Sequence, residues 1–212
     1  MKKKRTIELL EPILIRELGL ERKRTESTPF QELFTVSDTL SSAEKDILEE
    51  ARITLLDNAD MWNEEELKMQ FISIVMFLAK FRPPLRTYYD REISAEIQGI
   101  FIKCEADMLL SKGIGDLIET PYFFLHEYKR EKKYSGDPIG QMLAGMLVAQ
   151  AKNDSNNPIY GAYVQGRFWF FAVLEDKHYT LSESFDATKE PDAQKIVLIL
   201  RNLQKIILEK WL

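Results

Sequence analysis

The stretch Glu105-Ala106-Asp107-Met108-Leu109-Leu110, followed by Pro121-Tyr122-Phe123-Phe124-Leu125-His126-Glu127-Tyr128-Lys129, decides the reading of this chain. Both segments are apolar runs that carry isolated charges. In the second, an acid and a lysine two residues apart follow a run of aromatic and aliphatic residues. On an extended strand a spacing of two puts Glu127 and Lys129 on one face, and Glu105 and Asp107 share a face in the same way. A carboxylate and an ammonium beside an apolar strand are costly to bury unless paired or bound.

Working outward, Ile93, Ala95 and Ile97 alternate with polar residues from Glu92 to Gln98, which predicts a half-buried strand, and Gly99 marks a turn. Glu105 to Lys112 reads as the next strand, ending at Gly113 and Gly115, and Tyr122 to Lys129 as the third. Between them Ser111 to Thr120 reads as a loop longer than a tight hairpin. Asp137-Pro138 opens a helix, because Asp caps and Pro suits the first turn. Ile139, Met142, Leu143, Met146 and Leu147 carry that helix to Gln150. Tyr160 to Gly166 and Phe168 to Glu175 follow as strands. A long helix begins near Pro191, with Val197, Leu200, Leu203 and Ile207 as its apolar face and Trp211 at its end.

Upstream, Ser41-x-x-Glu44 and Asn63-x-x-Glu66 are capping-box patterns. The second opens a helix with Leu67, Phe71, Ile74, Val75, Leu78 and Phe81 on one face, stopped by Pro83-Pro84. Gly19 to Ser37 reads as a surface loop. A helix between the third and fourth strands joins parallel neighbours of one sheet. The fold class is therefore mixed α/β, with residues 1–60 an N-terminal extension packed on a core of residues 61–212, the two making one structural unit.

Composition narrows the function. The chain has 212 residues, 45% hydrophobic and 30% charged, with a net charge of −5. An acidic balance argues against a general basic coat for nucleic acid but not against a local basic groove. One cysteine excludes a disulfide framework, and two histidines disfavour a histidine-based metal centre. No apolar run approaches a membrane span, and the basic start Met1 to Arg5 is not followed by a signal-peptide core, so no membrane association and a cytoplasmic location are expected.

Asp107 and Glu127 on neighbouring strands offer the hard oxygen ligands that Mg²⁺ takes. A bound Mg²⁺ activates water and offsets charge on a phosphate, and Lys129 beside them can position the water or stabilise developing charge. Phosphodiester hydrolysis needs about this set. The plainer reading is a cross-strand ion pair, worth roughly 0.2–1 kcal/mol. His126 alternates away from Glu127 and reads as a packed histidine. The basic run Lys129 to Lys133 reads equally as a phosphate contact or a solvated loop.

At Asp107 and Glu127-Tyr128-Lys129 the sequence resembles the PD-(D/E)XK (restriction-endonuclease-like) nuclease superfamily, and from about Asn63 onward it is similar to small stand-alone bacterial members. Ala106 stands where the superfamily's name has Pro. The longer loop leaves Asp116 as an alternative to Asp107, and Asp107 is preferred because Asp116 sits among glycines. The resemblance implies an αβββαβ core and a Mg²⁺-dependent (or Mn²⁺-dependent) nuclease, acting on DNA in the first place and RNA in the second. It further implies an acid from the preceding helix, Glu66 rather than Glu65, as a third metal ligand. Gln141 on the Asp-Pro helix would be a polar residue directed at the site, and a homodimer is one arrangement that the resemblance allows. Two other readings stand beside the nuclease. One is a catalytically silent relative that binds nucleic acid or protein, and the other a dimeric structural protein using the C-terminal helix.

Overall fold

A computed structural model describes residues 4–129, 136–153 and 155–212, without the side chains of Phe124 and Leu125. Arg130 to Lys133, most of the basic run after the strand motif, and Met1 to Lys3 lie outside the described residues. In chain order the elements are α1 (Glu11–Leu18), β1 (Glu21–Arg22), α2 (Thr28–Phe34), α3 (Ser42–Asn58), α4 (Glu64–Leu67), a π-helical turn (Lys68–Ile72) and α5 (Ser73–Ala79). Then come β2 (Arg86–Ile97), β3 (Ile100–Ile114), β4 (Leu117–Lys129), α6 (Pro138–Lys152), β5 (Ile159–Gln165), β6 (Phe168–Glu175), β7 (His178–Leu181), β8 (Phe185–Asp186) and α7 (Glu190–Lys210).

Among the described residues the strands form one open mixed sheet, ordered β1-β7-β6-β5-β4-β3-β2, with β8 paired to β6. The strand carrying Asp107 pairs antiparallel with the strand carrying Glu127. Helix α6 then crosses to β5, which runs parallel to β4. The periodicity and the Asp-Pro cap predict this course. The sheet is packed on both faces. One layer joins α1 and α6 to residues such as Leu109, Ile159 and Leu174. The other joins α3, α5 and α7 to Met108, Tyr128, Trp169 and Phe171. In α7, Val197, Leu200, Leu203 and Ile207 are buried, as their spacing predicts.

Two segments that read as loops carry regular structure. Ser111 to Thr120 is not a loop: β3 and β4 continue into a two-residue hairpin at Gly115-Asp116, with Ile114 opposite Leu117. The glycines that suggested a break serve the hairpin. Gly115 has φ +58°, and a Cβ on Gly113 would lie 2.2 Å from the Leu117 carbonyl oxygen. A bulge at Ser111 breaks the alternation that would have marked the strand; its buried hydroxyl donates to the Glu119 carbonyl at 2.8 Å. Gly19 to Ser37 likewise holds β1, parallel to β7, and α2, anchored by buried Phe30 and Leu33.

Both capping boxes form. After the second, the helix passes through the π turn, so Ile72 and Met76 are buried where regular spacing predicts Ile74 and Phe81, both only partly buried. Asp137 caps α6 by accepting from the Gly140 N–H at 3.1 Å, and also accepts from the Glu11 N–H at 2.7 Å. That tie fixes the N-terminal extension to the helix that follows β4. Among the described residues no helix is long and apolar enough to cross a membrane.

Candidate functional site

The β3–β4 register pairs Met108 with His126, so one step further along Asp107 stands level with Glu127. The alternation of β3 slips there. Ile100, Ile102 and Ala106 share an apolar layer with Leu109, an odd spacing, and on β2 Ile93 and Tyr88 do the same. On β2 the slip coincides with Asp90, whose φ is +51°, a left-handed conformation that Asp tolerates better than most residues. Asp107 Oδ2 accepts the Tyr128 backbone N–H at 2.7 Å, which locks this acid onto the Glu127-Tyr128-Lys129 segment.

The site lies at one end of the paired strands. Glu127 is only 6% exposed, and its Oε1 lies 2.8 Å from Lys129 Nζ. Burial first, then the Asp107 charge, push the Glu127 carboxyl up to about 7, against the pull of Lys129. Burial works against the Lys129 charge, but Glu127, Glu64 and Asp107 outweigh it and hold Lys129 above the ordinary lysine range. Asp107, Glu127 and Lys129 thus form one electrostatic cluster, as their strand positions predict.

The helix before the sheet contributes other residues than expected. Glu66 Oε2 accepts the Asn63 N–H at 2.7 Å in the capping box, so its carboxylate serves the helix start. Glu64, two residues earlier, is the acid that faces the cluster, with Oε2 3.9 Å from Lys129 Nζ. Lys68, which the sequence reading did not single out, lies 2.8 Å from Asp107 Oδ1, 3.5 Å from Glu65 and 3.6 Å from Asp90. Burial opposes its charge, but Asp107, Asp90 and Glu65 together raise its pKa. Its Nζ also lies 5.7 Å from the centroid of the Tyr128 ring. Lys68 opens the π turn, a feature frequent at functional sites. The Glu64-x-x-x-Lys68 spacing was the available signal, and it reads first as a surface ion pair.

Gln141 lies in the first turn of α6. Its Oε1 is buried without a hydrogen-bond partner among the described residues. Asp116 occupies the hairpin turn. His126 packs between the rings of Tyr128 (4.4 Å) and Trp169 (5.0 Å); burial pushes it down to about 3, so it is neutral at physiological pH.

Among the described residues no three His, Cys, Asp or Glu side chains form a ready-made metal cluster. The donor chemistry nevertheless suits a hard cation. Two carboxylates converge from adjacent strands, and burial and the Asp107 charge raise one of them, Glu127, to about 7. A cation shared by Asp107 and Glu127 would relieve that repulsion. It would meet Lys68, which already places positive charge on Asp107. No protein-family model matches the chain, and no curated protein matches it in sequence.

Proposed function

We propose that the chain is a metal-dependent phosphodiesterase with a restriction-endonuclease-like αβββαβ core, acting on nucleic acid, DNA before RNA. One observation carries the reading: Asp107, Glu127 and Lys129 meet on antiparallel neighbours β3 and β4, with the buried Glu127 carboxyl raised to about 7. Such clustering of a perturbed carboxyl with an oriented lysine is more typical of sites than of structural pairs.

Asp107 and Glu127 would hold Mg²⁺ or Mn²⁺, which supplies a Lewis-acid charge at the scissile phosphate and a better nucleophile from water. Lys129, held above the ordinary lysine range, remains an ammonium, so its role is to orient water and to stabilise charge developing on phosphate oxygens, not to remove a proton. Glu64, facing Lys129, holds that ammonium in place. The Tyr128 N–H fixes the Asp107 carboxylate toward the same point.

The Lys68–Asp107 ion pair favours a second reading, in which a lysine has taken over the cation's electrostatic role and the fold binds nucleic acid or protein without cutting. The test is cleavage of DNA and RNA by the purified protein with Mg²⁺ or Mn²⁺, set against Lys129→Ala. The nuclease reading expects cleavage that falls about 10²–10³-fold in the variant, compared at a temperature where melting shows both proteins folded, since the variant also loses the part-buried Glu127–Lys129 pair. No cleavage by the unmutated protein, or cleavage indifferent to Lys129, moves the conclusion to the second reading.

A further inference from the structure

We infer that the face between α5 and β2 binds a single-stranded nucleic-acid segment and delivers it to the Asp107–Glu127–Lys129 cluster, an inference that rests on the nucleic-acid reading above and names its substrate class. A cavity of about 680 Å³ lies between the π turn, α5 and β2, with Lys68, Asp90 and Tyr128 among its lining residues, and Lys68, 2.8 Å from Asp107, links it to the cluster. A second depression, of about 510 Å³, lies beyond it. Both are lined by Phe81, Thr87 and Tyr89, so the two form one trough.

Two properties set this trough apart. First, its apolar surface is aromatic and open: Phe77 is 73% exposed and Tyr89 45%, with Phe81 between the two depressions. Second, Arg82, Arg86 and Arg91 line it, and among the described residues none of them has a carboxylate partner. In a chain of net charge −5, three unneutralised guanidinium groups along one aromatic trough complement a polyanion with flat apolar faces. The carboxylates of Asp90 and Glu65 share Lys68 with Asp107, so the part of the trough next to the cluster keeps net negative charge that a bound cation would offset, and Asp116 borders the second depression. Unpaired bases present their faces to aromatic side chains while arginines track the phosphates. A duplex keeps those faces stacked and has nothing to offer Phe77 or Tyr89.

The experiment is fluorescence anisotropy of a labelled single-stranded oligothymidylate and of a mixed-sequence duplex of equal length, in EDTA so that nothing is cut. The full chain should bind the single strand at least about tenfold more tightly than the duplex. Phe77→Ala and Tyr89→Ala should each weaken single-strand binding by about fivefold or more, Phe77→Ala without changing the melting temperature, since that side chain is 73% exposed, and Tyr89→Phe, which keeps the half-buried ring, should retain binding. Replacing Arg82, Arg86 and Arg91 with Ala should flatten the salt dependence by about 0.7 per lost phosphate contact. Equal or tighter duplex binding, single-strand binding indifferent to Phe77 and Tyr89, or no binding of either probe overturns the inference. A protein that binds the single strand through this trough yet cuts nothing loses the nuclease reading and keeps this one. A protein that cuts duplex irrespective of Phe77 and Tyr89 does the reverse.

Discussion

Lys68 Nζ lies 2.8 Å from Asp107 Oδ1, so an ammonium carried by a π turn sits on the acid that β3 brings level with Glu127. The pair is mostly buried, and Asp107 also accepts the Tyr128 N–H. Whether this lysine substitutes for a cation or waits to be displaced by one is the central question about the site.

Lys68→Met separates the two. Removing one partner of a part-buried pair leaves the other uncompensated, so the variant should melt lower than the wild type in EDTA, by about 1–3 kcal/mol of stability. If the acids hold a divalent ion, millimolar MgCl₂ should restore the variant's melting temperature and raise it more than it raises that of the wild type, because Asp107 is then open to the ion. Thermal melting of both proteins with and without MgCl₂ reads this directly. Loss of stability with no response to Mg²⁺ supports the lysine as a permanent substitute.

The acidic pair also sets a pH dependence. The folded Glu127 carboxyl is pushed up to about 7 from an ordinary value of 4.5, by burial first and by Asp107 second. Between those values the native state keeps a proton that the unfolded chain releases. The contribution of Glu127 to stability is therefore fully present below about pH 4.5 and lost as pH rises through about 7, on the order of 3 kcal/mol across the window. Urea unfolding at pH 5 and pH 8 should show Glu127→Gln stabilised relative to the wild type at pH 8 and not at pH 5. A constant difference at both values means that Glu127 is already ionised at pH 5.

The course of the sheet was legible because it rests on patterns that tertiary contacts reinforce. Alternation in Glu92 to Gln98, the charges closing the aromatic run at Glu127 and Lys129, and the Asp137-Pro138 cap all point the same way. Ser111 to Thr120 was not legible, because a bulge interrupts the alternation and two glycines that serve a hairpin look like breaks. Gly19 to Ser37 hid α2, whose burial depends on two residues, Phe30 and Leu33. In the candidate site Glu127 and Lys129 were singled out by their spacing of two at the end of an apolar strand, and Asp107 by its place on the strand before and by the resemblance. The helix residues did not: Lys68 lies at a π turn that a regular helical period does not anticipate, and three consecutive glutamates at the helix start point in different directions.

Those glutamates give the last prediction. Glu66 and Glu64 are two residues apart on the same helical start, yet they serve different purposes. The Glu66 carboxylate accepts the Asn63 N–H while Asn63 Oδ1 accepts the Glu66 N–H, so Glu66→Ala should weaken the cap and lower the melting temperature by about 1–4 °C. Its response to Mg²⁺ and any cleavage should be unchanged. Glu64 reaches across to Lys129 at 3.9 Å and has no part in the cap. Glu64→Ala should leave melting in EDTA nearly unchanged, because a part-exposed pair at that distance contributes little. It should reduce Mg²⁺-dependent stabilisation and cleavage about tenfold, the scale expected when a residue that orients a site's working groups is removed. Melting with and without MgCl₂, together with cleavage on the same two variants, decides the matter. If Glu66→Ala loses the Mg²⁺ response and Glu64→Ala keeps it, the helix presents a different acid to the site from the one its folded geometry indicates.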